Sequence, residues 1–188
     1  MKLNKFTSAL ILSLGMASVG AQADVDGRVT FTGAIIDAAC SIHPDSVDQV
    51  VELGSVSSST LATNGKSRER PFKIILENCA LATDDGGDDE DETKRAARAA
   101  SANQVSVKFD GIQDDDDETL LSIYGAAGAG VAIANAGGQQ INIGDESGLY
   151  PLTAGTNKLD FVAYLKSTEQ EVETGEFTAL ASFILNYQ

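Results

Sequence analysis

The sequence predicts an all-β domain built as a sandwich of two sheets. Three observations carry this: the apolar residues fall in short segments rich in β-branched and aromatic side chains, apolar and polar positions alternate along several of those segments, and Gly, Asp or Asn turns separate them. Period-two alternation puts successive side chains on opposite faces of a strand, so each segment offers one face to a core.

The first such segment is DVDGRVTFTG, residues 24–33. Val25, Gly27, Val29, Phe31 and Gly33 share one face, and Asp24, Asp26, Arg28, Thr30 and Thr32 share the other. Nine further strands are expected near residues 35–42, 49–56, 72–78, 104–110, 120–124, 131–134, 140–143, 159–166 and 177–187. In the third of these, Phe72, Ile74 and Leu76 alternate with Lys73, Ile75 and Glu77; later, Leu159, Phe161, Ala163 and Leu165 do the same. The last carries Phe177, Ala179, Ala181, Phe183, Leu185 and Tyr187 on one side and stops one residue short of Gln188. An alternating apolar strand thus stands near each end of the domain. An unpaired strand exposes N–H and C=O groups and invites another chain. The two ends could close on one another, or each could find a partner on a neighbour; the pattern leaves both open.

Residues 1–23 have the character of a secretory leader. Lys2 and Lys5 form a positive start, residues 6–19 an apolar stretch, and Ala21-Gln22-Ala23 a small-residue cleavage site. Removing 23 of the 188 residues leaves 165, one domain in size. It also removes two lysines, so 11 basic residues face 28 acidic ones, a net charge of −17. Nucleic acid and anionic lipid are therefore poor partners. In an exported chain the two cysteines, Cys40 and Cys79, are expected to form one disulfide, which on the chain-entropy model stabilises the domain by about 4 kcal/mol.

Two acidic stretches interrupt the strands. Residues 84–101, DDGGDDEDETKRAARAAS, run from acidic to basic and suit a short surface helix with charges matched to its dipole. Residues 113–118, QDDDDE, read as a solvated loop. Neither has the spacing of an EF-hand, so a repulsive outer face is favoured over a calcium site and no metal or cofactor is expected. His43, the only histidine, stands before Pro44 and reads as a turn residue, leaving no catalytic triad to build and no small-molecule substrate to expect. GAAGAG, residues 125–130, precedes a strand rather than a helix and reads as a flexible turn.

The ordered set GRVTFTGAIIDAACSI (27–42), SVDQVVELGSV (46–56), FKIILENC (72–79), GVAIANAGGQQINIG (130–144) and a terminal FILNYQ resembles the type 1 family of fimbrial subunits, pilins of the chaperone/usher pathway. The resemblance implies an incomplete immunoglobulin-like sandwich lacking its final strand, completed by a donor strand from a periplasmic assembly chaperone or from a neighbouring subunit. On this sequence it implies a donor extension at 24–33 followed by a pilin domain at 34–188. Val25, Gly27, Val29, Phe31 and Gly33 would face the neighbour, with Gly27 at the tightest pocket. Phe183, Leu185 and Tyr187 would line the acceptor groove, the carboxylate of Gln188 would meet the chaperone, and Cys40 and Cys79 would be the family's disulfide. The partners implied are identical or related pilins, the chaperone and an outer-membrane usher, and the destination is a fimbrium on the cell surface. The function implied is that of a shaft subunit supporting adhesion and biofilm formation, with a minor adapter or tip-associated subunit as the alternative. The two acidic stretches depart from the family pattern.

Overall fold

The computed structural model describes residues 28–35, 38–81, 103–168 and 170–188, and divides the chain into two units, Met1–Ile36 and Asp37–Gln188. The expected leader, Asp24 to Gly27 of the first strand, and the expected helix at 84–101 lie outside the described residues. Of the first unit, residues 28–35 carry no helix or strand, and Val29, Phe31 and Ile35 are exposed.

The second unit is a sandwich of two antiparallel sheets. The elements are β1 (Ser41–Ile42), α1 (Pro44–Val47), α2 (Ser58–Asn64), β2 (Arg70–Cys79), β3 (Gln104–Gly111), β4 (Ala129–Asn135), β5 (Gln140–Ile141), β6 (Tyr150–Pro151), β7 (Gly155–Ser167) and β8 (Ala181–Tyr187). One sheet has the order β1-β2-β7-β4-β5, the other β6-β3-β8. The alternation read from the sequence sets which residues meet between them. Ile74 and Leu76 of β2, Leu159, Phe161, Ala163 and Leu165 of β7, and Val105, Val107 and Phe109 of β3 are all buried in one cluster. Phe161 is its hub, stacked on Phe72 at 5.5 Å and edge-on to Phe109 at 5.1 Å and Tyr150 at 5.7 Å. Cys40 and Cys79 form the expected disulfide, with Cα atoms 4.1 Å apart, and tie β1 to the end of β2. There the ladder shifts between Leu76 and Cys79, and Asn78 takes a left-handed φ of 53°.

Strand β4 is buried on both faces, and the cause lies in the second acidic stretch. Ala132 and Ala134 of β4 and Tyr164 of β7 point away from the main core and are covered by Leu120, which is fully buried. The loop that delivers Leu120 is not merely solvated, as its composition suggests. The Asp114 carboxylate accepts from the N–H groups of Asp116 and Asp117 at 3.0 and 3.2 Å, and Asp117 accepts from the N–H and hydroxyl of Thr119 and from Lys166 at 3.0 Å. Asp115 and Asp116 remain exposed. Asp117 is held below its ordinary carboxylate pKa, chiefly by Thr119 and also by Lys166, against desolvation. A group whose folded pKa is lowered stabilises the fold above its unfolded value and ceases to do so as pH falls through the folded value. Asp117→Asn should therefore cost about 1 kcal/mol at pH 7, a cost that fades below pH 3.8. Urea titrations of both chains at pH 7 and at pH 2.5 check this; an equal difference at both would refute it.

Several expected strands are shortened or absent. Of 35–42 only Ser41–Ile42 is a strand, residues 36 and 37 being outside the described set. Residues 120–124 form no strand, because Leu121 bridges both Gln113 and Val131 while Tyr124 bridges Thr178, so neighbouring residues serve different partners. For the same reason the last strand starts at Ala181 rather than at 177. Residues 140–143 pair only at Gln140–Ile141. The helices α1 and α2 and the two-residue β6 have no counterpart in the expected elements. His43 caps α1, its Nδ1 accepting from the Asp45 N–H at 3.2 Å. Among its described side chains, helix α2 buries Leu61 alone, and it ends on Gly65 at φ +70°, so one apolar residue leaves no period to read.

The glycine-rich turn at 125–130 is pinned rather than flexible. Gly125 and Gly128 take φ of +99° and +76° and lie hard against the backbone of Glu176 and Glu171. Flanking bridges hold the contact, with Tyr124 and Thr178 exchanging hydrogen bonds at 2.9 and 3.0 Å.

Candidate functional site: the open side of the sandwich

Strand β8 is the last in its sheet, and its two edges differ. On one side all seven residues pair with β3, from Val105↔Tyr187 to Gly111↔Ala181. On the other, no strand among the described residues pairs with it. The core is open on that side. At directly opposed positions, Val105, Val107 and Phe109 of β3 are 0, 0 and 3 % exposed, whereas Tyr187, Leu185 and Phe183 of β8 are only half-buried. Paired residues on one face share the same core, so this difference measures missing cover and not missing hydrophobicity. The Tyr187 hydroxyl is buried with no hydrogen-bond partner among the described residues, and desolvation raises its pKa. Gln188 follows, exposed, its N–H donating to the carbonyl of Gln104 at 2.9 Å.

A second unsatisfied edge lies at 49–56, where a strand is expected. Val51 and Leu53 are half-buried against the core while Val50, Glu52 and Gly54 are exposed, the alternation of a strand face over 50–54, which Val56 then breaks. Yet no backbone group of 49–56 joins a backbone hydrogen bond among the described residues. A depression lined by Gln49, Val51, Glu52, Arg70 and Phe72 lies between this segment and the start of β2. Phe72, alternating with buried Ile74 and Leu76, is itself only half-buried.

Of the residues singled out in the sequence, the structure gathers Phe183, Leu185 and Tyr187 on one incompletely covered face. Val29, Phe31 and Gly33 fall in the first unit, exposed and outside any strand, and Val25 and Gly27 lie outside the described residues. Sequence reasoning did not single out Val51, Leu53 and Phe72 as further half-buried apolar residues at the rim of the core. Their alternation is visible, but which face lacks a neighbour is a property of sheet order. Such a site supplies main-chain donors and acceptors along an edge and apolar pockets beneath it, the equipment for receiving an extended peptide. Among the described residues no three His, Cys, Asp or Glu side chains are grouped to hold a metal, and no helix is long and apolar enough to cross a membrane.

Comparison with known proteins agrees with this architecture. A family model described as fimbrial protein matches residues 29–188. The chain is 40 % identical to the Fimbria A protein of Serratia marcescens over 192 residues and 40 % identical to the major MR/P fimbria protein of Proteus mirabilis over 195, covering the whole of both chains in each case. It is similar, with a TM-score of 0.71 and 30 % identity over 87 % of this chain and 96 % of the other, to a subunit in the structure of a chaperone-usher pilus. The fold is an immunoglobulin-like sandwich without its final strand, and the chain belongs to the fimbrial protein family as a structural subunit of a fimbria.

Proposed function

We propose that this subunit polymerises by donor-strand exchange and builds the fimbrial shaft. Residues 24–33 of one copy lie along the free edge of β8 in the next, with Val25, Gly27, Val29, Phe31 and Gly33 turned inward onto Phe183, Leu185, Tyr187, Val51, Leu53 and Phe72. Every named ladder in the domain is antiparallel, so an antiparallel donor continues the sheet most simply. The observation that carries the reading is the contrast across β3 and β8, full burial on one and half-burial on the other.

Before assembly a periplasmic chaperone fills the same groove and meets the Gln188 carboxylate, and an outer-membrane usher exchanges its strand for the next subunit's. The role is architectural, with no reaction catalysed, and the finished fibre supports adhesion and biofilm formation at the cell surface. A shaft position is favoured over an adapter or tip position by full-length likeness to a protein named as a major fimbria protein.

The test is complementation. A chain of residues 34–188 should unfold at low urea and should gain stability as RT ln(1 + [peptide]/Kd) when a peptide of residues 24–33 is added, about 2.7 kcal/mol at a hundredfold excess over Kd. A truncated domain as stable as the full chain, and indifferent to the peptide, would overturn the reading.

A further inference from the structure

Strand β8 is held unlike the other long strands of the domain. Among the described residues β2, β3, β4 and β7 each pair with a strand on both edges, whereas β8 has β3 alone. Its apolar face is also only half-covered, so neither a second ladder nor full burial opposes fraying, and opening such a segment costs little. In a strand that must receive an extended peptide this matters, because the peptide docks only on the fraction of copies whose β8 is already in place.

The side chain that compensates is Glu146, in the segment GDESG, residues 144–148. This segment runs along the edge of β3 remote from β8. Gly144 and Ser147 donate their N–H groups to the carbonyls of Phe109 and Val107, both at 2.8 Å, and the Val107 N–H returns to the Ser147 hydroxyl oxygen at 2.9 Å. Glu146 itself bridges Lys108, which alternates with buried Val107 and Phe109 and so faces away from the core, and bridged residues share a face. From there the Glu146 side chain spans β3 to reach β8. Its Oε2 accepts from the Ser106 hydroxyl at 2.9 Å, and its Oε1 accepts from Asn186 Nδ2 at 3.0 Å. Ser106 and Asn186 are directly opposed in the β3–β8 ladder, so one carboxylate fastens both members of a cross-strand pair to an element outside it. Ser106 shares the outward face of Lys108 yet is 1 % exposed, as expected beneath such a cover. The other side-chain hydrogen bond of β8 among the described residues, from the Ser182 hydroxyl to the Asp110 carbonyl, is 3.4 Å long and stays within the β3–β8 pair.

We propose that Glu146 is a positioning residue of the acceptor strand. Acting from the face opposite the groove, it pins the carboxyl-terminal half of β8, which carries Leu185 and Tyr187, in register on β3 and keeps the free edge presented before a donor arrives. The inference rests on the strand-exchange reading.

The test compares Glu146→Ala, Glu146→Gln and the unaltered full chain in two measurements, hydrogen exchange of the free subunit and the rate of fibre assembly. In Glu146→Ala the amides of residues 184–187 should exchange about tenfold faster, the loss of one hydrogen bond to a charged group, while those of β7 keep their protection. Fibres of that variant should form more slowly, by up to the same factor. Glu146→Gln should restore both, because an amide keeps the two contacts, its Nε2 donating to the Ser106 hydroxyl oxygen and its Oε1 accepting from Asn186. Exchange that rises equally in β7 and β8 would mark an ordinary loss of stability and overturn the positioning role. So would Glu146→Gln behaving like Glu146→Ala, or Glu146→Ala assembling at the normal rate. The complementation experiment scores strand exchange separately: if the peptide stabilises the domain there and Glu146→Ala still keeps β8 protected, this inference falls alone.

Discussion

Replacing Gly27 with phenylalanine should reduce fibre yield by roughly 5- to 150-fold while leaving the subunit itself folded. The face formed by Val25, Gly27, Val29, Phe31 and Gly33 is the inward face of the proposed donor strand, and Gly27 is its position without a side chain. On the proposed docking, in which the position facing Gly27 admits only hydrogen, a ring there costs about 1–3 kcal/mol by overpacking, which converts to that range in the exchange equilibrium. The acceptor side of the same molecule is untouched, because β8, 49–56 and Phe72 belong to the other unit. Sheared fibres quantified against periplasmic subunit provide the readout. Arg28→Phe, one residue on and therefore on the opposite face, is the control and should assemble normally. Equal yields from the two variants would mean that residues 24–33 do not dock as a strand with this parity.

Gly125→Ala should destabilise the domain by about 2–5 kcal/mol, a large share of what a domain of this size possesses. Two costs add at this position. The backbone at φ +99° is one that an L-residue enters only with strain, and a Cβ there would collide with the Glu176 carbonyl, a backbone atom held by the Tyr124–Thr178 bridge. Gly138 separates the two costs: its φ is +82° but nothing lies near its Cβ position, so Gly138→Ala should cost only about 1–2 kcal/mol. Thermal unfolding of both variants decides it; equal losses would show that the close approach at residue 125 contributes nothing.

Much of the fold was legible because period-two patterning is a local consequence of strand geometry. The strands β2, β3, β4 and β7 fall where the alternation puts them, and the inward residues of β2 and β7 are the ones named from sequence. Local rules failed where a residue's partner changes along the chain. Leu120 goes to the outer face of β4 and Leu121 to the core, so two adjacent leucines that read as one strand serve two clusters. Likewise QDDDDE reads as uniform charge, yet Asp114 and Asp117 are fixed by backbone N–H groups, Thr119 and Lys166 while Asp115 and Asp116 face solvent. Composition cannot sort identical residues whose difference lies in what the fold brings to them.

The sequence by itself determined that the chain is all-β, that Cys40 and Cys79 are its disulfide candidates, and that residues 24–33 and 177–187 each carry one apolar face. Tertiary structure alone decided that the apolar face of β8 is under-covered. Whether Phe183, Leu185 and Tyr187 are sealed depends on sheet order, with β3 on one side of β8 and no strand among the described residues on the other. The physical reason is that alternation specifies a side chain's direction relative to its own backbone, while burial depends on which other backbones arrive beside it, a quantity set by contacts between residues far apart in the chain.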